Sequence, residues 1–205
     1  MRPKSSQPPK KKPAATPVRG TAAHEIRIIG GQWRRTPIKV VDKPGLRPTP
    51  DRVRETLFNW LGQDLTGWRC VDAFAGTGAL GLEAASRGAA QVIALEHDAE
   101  LARQLQQLAE RLKASGVQVQ RSDAVSAMQR LAAGAFDVVF LDPPFDGPWF
   151  EPALQAGARL VPVGGWVYLE APVPWTDEAL APFALEVVRH LKAGAVHAHL
   201  LRRTA

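Results

Sequence analysis

A chain of 205 residues with 45% apolar and 22% charged side chains has the composition of one globular domain with its own core, which excludes a collagen, a repeat array or a wholly disordered chain. One cysteine excludes an intrachain disulfide framework and a cysteine-based zinc cluster, and it suits a reducing cytoplasm. The net charge of +6 points to a polyanionic partner, but it is unevenly placed. Residues 1–20 carry six basic and no acidic side chains, 21–60 eight basic and four acidic, and 61–205 twelve basic and sixteen acidic. The positive excess belongs to the first sixty positions, and the rest of the chain is mildly acidic.

The first segment, 1–22, mixes Pro3, Pro8, Pro9, Pro13 and Pro17 with Ser, Gln and Lys. Such a segment cannot bury enough apolar surface to offset its chain entropy, so a disordered basic tail is expected. It lacks the apolar core of a secretory signal, and no run in the chain approaches the ~20 apolar residues of a membrane span. The tail reads either as a solvated appendage or as a source of non-specific attraction to nucleic acid.

From 26 to 41 the pattern predicts two short strands joined through Gly30-Gly31, with Trp33, Arg34 and Arg35 toward the turn. Trp33 suits stacking on RNA or anchoring the hairpin. Lys43-Pro44-Gly45 breaks the chain, and Thr49-Pro50 reads as an N-cap followed by proline at the first helical position. The helix is expected to reach Leu61, burying Val53, Leu57, Trp60 and Leu61 and leaving Arg52 and Arg54 open to solvent or a ligand. Residues 23–66 are thus expected to form a basic hairpin-and-helix extension, and 67–205 the larger domain, whose motifs below mark it as the catalytic one.

Beyond 67 the chain alternates. Strands are expected at 69–74, 91–96, 117–121, 136–141 and 166–170, with helices at 79–87, 98–114, 124–131 and about 150–160. The last forty residues suggest an antiparallel pair, 184–191 and 196–202. This is an α/β, Rossmann-like plan: a mostly parallel seven-stranded sheet with helices on both faces. Ligands of such sheets bind beyond the carboxyl ends of the strands, so residues just after each strand carry the information.

After the first of these strands stands Asp72-Ala73-Phe74-Ala75-Gly76-Thr77-Gly78-Ala79-Leu80-Gly81. The glycines let a ligand approach the backbone at a helix N-terminus, and Glu96 follows 20 residues after Gly76, where a ribose-binding acid belongs. Asp72 turns the reading from a dinucleotide toward S-adenosylmethionine, because an acid there repels a pyrophosphate and attracts an ammonium or sulfonium. Glu96 can accept from ribose hydroxyls. Asp123 can accept from an adenine amine, with the Ala124 N–H as donor to a ring nitrogen, or it can simply cap the next helix. Acids ending three successive strands form an acidic rim shaped for that cofactor.

After the fourth strand comes Asp142-Pro143-Pro144-Phe145. The prolines fix an extended turn and remove N–H groups, which leaves the Asp142 carboxylate and the Pro143 carbonyl as acceptors for both hydrogens of an exocyclic amine. Phe145 offers a face for a planar base. With the methyl already on a sulfonium leaving group, the chemistry needs alignment and no metal. The amine proton can leave to Asp142 or to water.

These motifs resemble those of class I S-adenosylmethionine-dependent amino-methyltransferases. With the upstream stretches Arg27-Ile28-Ile29-Gly30-Gly31-Gln32-Trp33-Arg34 and 46–61, whose most discriminating part is Arg47-Pro48-Thr49-Pro50-Asp51-Arg52-Val53-Arg54-Glu55, the chain over 25–203 is similar to the bacterial family that methylates a guanine N2 of 16S ribosomal RNA. The resemblance implies that Asp72, Phe74, Gly76 and Gly78 line the methionine part of S-adenosylmethionine, Glu96 its ribose and Asp123 its adenine. It places the target guanine at Asp142 to Phe145. The segment 47–54 would close over the site with Thr49 near the cofactor. It also implies a substrate in a partly assembled small-subunit particle and S-adenosylhomocysteine as product. Arg34, Arg35, Arg47, Arg52 and Arg54 are the expected RNA contacts of a monomeric, cytoplasmic enzyme.

The alternatives are an amino-methyltransferase of DNA bases or of another RNA, or a non-catalytic RNA-binding module that keeps the fold. A DNA enzyme usually needs an added recognition domain, for which roughly 180 ordered residues leave little room. A protein-glutamine methyltransferase commonly has Asn where Asp142 stands, and an NAD oxidoreductase is disfavoured by Asp72. His197 and His199 share a strand face, yet no third ligand follows at metal spacing, so packing or exposure is expected of them.

Overall fold

The computed structural model of the chain describes residues 25–41, 43 and 49–205, so the tail over 1–22 and the expected RNA contact Arg47 lie outside the described residues. The elements follow as β1 (Glu25–Arg27), β2 (Pro37–Lys39), α1 (Asp51–Trp60), β3 (Arg69–Asp72), α2 (Ala79–Ser86), β4 (Gln91–Glu96), α3 (Ala99–Arg111) and β5 (Val117–Arg121). Then come α4 (Ala124–Arg130), β6 (Val138–Leu141), α5 (Phe150–Leu160), β7 (Trp166–Ala171), α6 (Asp177–Leu180), a 3-10 turn (Ala181–Phe183), β8 (Leu185–Ala193) and β9 (Val196–Arg203).

Seven strands form one sheet in the order β5-β4-β3-β6-β7-β9-β8. The first five are parallel, whereas β9 runs antiparallel to both β7 and β8. Strand order reverses between β3 and β6, which pair directly, so the crevice that a parallel sheet opens at such a reversal lies at the ends of these two strands. Asp72 closes β3, and Asp142 immediately follows β6.

The period-2 alternation of the strands builds a core on each face. Val71, Ile93, Val139, Leu141, Val167 and Leu169 pack against α4 and α5 on one face. Cys70, Val92, Val138, Phe140 and Tyr168 point to the other, where they meet α2 and also Val53, Leu57 and Phe58 of α1. The β1–β2 pair packs Ile26, Ile28, Ile38 and Val40 on Leu82 of α2 and on Leu105 and Leu108 of α3. The extension therefore shares its hydrophobic core with the sheet.

Several local expectations shift. Helix α1 starts at Asp51, so Pro50 rather than Thr49 holds the capping position and no side chain caps it. The buried stripe includes Arg54 and Phe58 beside Val53 and Leu57, and Trp60 is only half-buried. Strand β3 ends at Asp72 and not at 74, because the backbone turns there into the glycine loop. Helix α6 and its 3-10 extension were not expected. A single helical turn is too short to show a period, and Thr176 starts it by capping the Ala179 N–H.

Candidate functional site

The glycine loop is set by backbone conformations that favour glycine. Gly76 and Gly78 have φ of +52° and +80°, and a Cβ on Gly78 would stand 2.2 Å from Leu105 of α3. Gly78 precedes α2, and its N–H bonds the Ala75 carbonyl. Gly81, one turn into α2, donates its N–H to Asp72 Oδ2 at 2.8 Å, and a Cβ there would meet that oxygen at 2.9 Å. The last glycine of the fingerprint thus exists to admit the Asp72 carboxylate. Asp72 is 2% exposed, and burial raises its pKa to about 7, with the Glu96 charge adding to the shift and the Gly81 bond opposing it.

Glu96, at the end of β4, is also buried. Its Oε2 accepts from Gly76 N–H at 2.8 Å and its Oε1 from Asp98 N–H at 2.7 Å, which fixes the glycine loop to the start of α3. Asp98 caps α3 by accepting from the N–H groups of Glu100 and Leu101. Lys43 donates to Asp98 at 2.7 Å and lies 2.9 Å from Glu100, and its ammonium is the main reason the Asp98 pKa falls to about 2. Asp123, exposed at the end of β5, caps α4 through Ser126 N–H, and this bond holds its pKa below the ordinary value. Ala124 behind it is buried, and Phe74 is half-buried against the α4–α5 face. Asp123 stays exposed while it caps the helix.

Across the crevice, Asp142 is half-buried, Pro143 buried, Pro144 exposed and Phe145 half-buried. The Thr49 hydroxyl, itself 3% exposed, lies 3.5 Å from Asp142 Oδ2, at the long end of hydrogen-bond reach. Leu141 pairs with Leu169, which puts Glu170 of β7 next to Asp142. Tyr168 donates its hydroxyl to Glu170 Oε1 at 2.8 Å, and burial followed by the Glu170 charge pushes the Tyr168 pKa well up. Behind the tetrad, Phe145, Phe150, Trp175 and Phe183 form a ladder of rings 6.2–6.4 Å apart, which fixes Phe145 from one side. A cavity of about 550 Å³ lined by Trp175, Phe183 and Glu151 lies at the far end of this ladder.

The expected RNA contacts separate into two groups. Arg34, Arg35 and Arg52 are exposed, with Arg35 at φ +69° in the turn. Arg54, expected to be accessible, is completely buried, because its helical position falls inside the apolar stripe. Its guanidinium bonds the carbonyls of Thr49 and Arg27 and the Asp51 carboxylate, and it lies 3.5 Å from Glu83 Oε2. Arg54 is a structural side chain and not an RNA contact.

Glu83 is a residue that sequence reasoning missed. Fully buried in α2, it accepts from the N–H groups of Ile29 and Gly30, both at 2.7 Å, and from Arg87 Nε at 2.8 Å. Arg87 in turn lies over the Phe58 ring, 4.8 Å from its centroid. Ser86 completes the dock, bonding Gly30 O through its hydroxyl and receiving Trp33 N–H. A Cβ on Gly31, at φ +72°, would stand 1.8 Å from Ser86 O. The Gly30-Gly31 pair thus lets the hairpin lie on the end of α2, and Trp33, half-buried against two cores, anchors it. The signal was present: a lone carboxylate in the apolar helix Ala79–Ser86 needs partners.

His197 and His199 do share a face, and His190 stacks on both. His199 is buried between Trp175 N–H and the Leu169 carbonyl, and burial lowers its pKa to about 4. Among the described residues no group of three or more His, Cys, Asp or Glu side chains is placed to hold a metal, and no helix is long and apolar enough to cross a membrane.

A seven-stranded sheet of this order, with a glycine loop after β3 and an acid-Pro-Pro-aromatic turn after β6, defines a class I, Rossmann-like methyltransferase. The chain belongs to the family described as Conserved hypothetical protein 95, whose model matches residues 26–202. It is 41% identical over 186 residues to the Ribosomal RNA small subunit methyltransferase D of Escherichia coli strain K12, covering 88% of this chain and 91% of that protein. The Haemophilus influenzae protein of the same name is 47% identical over 137 residues, 65% of this chain and 71% of that one. Among solved structures, the Escherichia coli protein yhhF superposes with a TM-score of 0.76 at 36% identity, covering 89% of this chain and 99% of its own.

Proposed function

We propose that the protein transfers a methyl group from S-adenosylmethionine to the exocyclic N2 of a specific guanine in 16S ribosomal RNA, within an assembling small-subunit particle. The observation that carries this reading is the meeting of two acids at the reversal of strand order: buried Asp72 closing β3 and half-buried Asp142 opening the Pro-Pro-Phe turn after β6. The names of the relatives support the RNA substrate.

The residues fit the cofactor by their chemistry. A glycine loop held at positive φ, a buried carboxylate near neutrality and two further carboxylates at successive strand ends suit a molecule with a cation, a pair of hydroxyls and an amine. Asp72, Phe74, Gly76 and Gly78 would hold its methionine part, Glu96 its ribose, and Asp123 with Ala124 its adenine. When bound, S-adenosylmethionine supplies a methyl carbon on a sulfonium leaving group and departs as S-adenosylhomocysteine. No metal is needed for this exchange.

Asp142 and the Pro143 carbonyl accept the two N–H bonds of the guanine amine, which turns its lone pair out of conjugation with the ring and toward the methyl carbon. Pro144 keeps the turn extended, and Phe145 stacks on the base, braced from behind by Phe150. Nitrogen gains the methyl and sheds a proton, which the Asp142 carboxylate can take or hand to water. A base read in this way must leave any stack it belongs to. Arg34, Arg35 and Arg52 are exposed and offer positive charge to RNA phosphates. The enzyme is read as a monomer of the cytoplasm.

Incubation with labelled S-adenosylmethionine and undermethylated small subunits, followed by nucleoside analysis, is expected to show N2-methylguanosine. Label in protein, in DNA or in another nucleoside would overturn the assignment.

A further inference from the structure

Arg54 lies at a junction of three regions. Its Nη1 bonds the Arg27 carbonyl in the hairpin at 2.8 Å and faces Glu83 of α2, the helix that begins at the glycine loop. Its Nε bonds the Thr49 carbonyl at 3.2 Å, and its Nη2 bonds Asp51. A guanidinium in a fixed fork, wholly buried, restrains its acceptors more tightly than any exposed contact, because its planar geometry leaves them few positions. Thr49 is therefore held from behind through its carbonyl, while its hydroxyl faces Asp142 Oδ2.

We infer that Arg54 is a positioning residue that presents the Thr49 hydroxyl to the Asp142 carboxylate, so that Thr49 orients this carboxylate for the target amine. The inference rests on the methyl-transfer reading above. Although Thr49 is expected near the cofactor, its hydroxyl is directed at Asp142 and not at the glycine loop, so its effect is assigned to the transfer step rather than to cofactor affinity. A threonine hydroxyl both donates and accepts. Donating to Oδ2, it fixes the rotation of the carboxylate and with it the direction in which the amine is met. Glu83 holds Arg54 in place while also holding Ile29 and Gly30, so one buried pair sets both the hairpin and the carboxylate it helps to aim.

The test compares Thr49→Val, Thr49→Ser and Arg54→Met in the full-length chain on undermethylated small subunits, with cofactor affinity measured by calorimetry. Wild-type turnover is measured first, and its absence would sink the methyl-transfer reading itself. Given active wild type, Thr49→Val is expected to lose about tenfold in kcat, the scale of one hydrogen bond to a charged group. Its KM and cofactor Kd should stay within threefold, and Thr49→Ser should recover most of the loss. Arg54→Met, or Arg54→Lys should the methionine variant lose its circular dichroism signal, is expected to show the same kcat-selective loss, and wild-type kcat in the folded variant would overturn the role of Arg54. Wild-type kcat in Thr49→Val, a serine variant no better than valine, or a loss carried by cofactor Kd would each overturn the inference.

Discussion

Two buried carboxylates meet helix α2 within one turn of each other, and they are treated in opposite ways. Glu83, in the helix, is surrounded by two guanidinium groups and two backbone N–H donors, all supplied by the chain itself. Asp72, which bonds the helix at Gly81, receives one N–H and is pushed toward neutrality by burial. A buried acid that already has its cations is a joint. One with no cation beside it among the described residues, at the open end of a parallel strand, matches the proposed binding of a cation from outside. The same residue chemistry thus marks the dock of the extension and the rim of the site, and the number of fixed partners distinguishes them.

The strongest test of that contrast is on the chemistry. Asp142→Ala is expected to lower turnover by roughly 10²–10⁴-fold while cofactor affinity, measured by calorimetry, stays within a few fold. Equal loss of cofactor binding would move Asp142 to the cofactor side of the crevice. At the joint, Glu83→Ala leaves the buried Arg87 and the Ile29 and Gly30 N–H groups without their acceptor and removes one of the two carboxylates facing Arg54, and should cost about 3–5 kcal/mol in denaturant unfolding. A change below about 1 kcal/mol would mean that the junction is not what holds the extension down.

A smaller effect separates Asp72 by pH. A bound cation favours its ionised form, so cofactor affinity should weaken as pH falls through about 7, approaching tenfold per unit below it. Titration calorimetry between about pH 5.5 and 8 reads this directly, and a flat profile would break the assignment of the cation to Asp72. The sign for stability is opposite. Because the folded pKa lies above that of an unfolded aspartate, the group favours the folded state at low pH, and that contribution disappears as pH rises through about 7.

The weakest expected effect concerns the exposed charges. Replacing Arg34, Arg35 and Arg52 by Glu should weaken particle binding and flatten its salt dependence, by a log–log slope of about 0.7–0.9 for each phosphate no longer neutralised. An unchanged slope would place the docking face elsewhere.

The alternation of elements, the two-faced cores and the chemistry-bearing turns are legible in the sequence because periodicity and strand-end position are local properties. The strands at 91–96 and 117–121 fall where they were expected, and Asp72, Glu96, Asp123 and Asp142 all stand at or just beyond strand ends. Arg54 departs from expectation because polarity does not guarantee exposure. Only the packing of α1 on the sheet reveals that its position faces inward, where Glu83 compensates its charge. Thr49 departs for a related reason. Thr-Pro looks like a helix start, but the hydroxyl is directed across the chain to Asp142, 93 residues away.

By itself the sequence determined the alternation of strands and helices, the glycine loop, the acids after each strand and the division of charge between the extension and the sheet, since each depends on neighbours a few residues apart. The tertiary structure decided which acids are joints and which are open, which arginines face solvent, and which hydroxyl meets the Asp142 carboxylate. Those outcomes follow from burial and from partners far away in the chain, as with Glu83 and Ile29, 54 residues apart, and no local pattern encodes them.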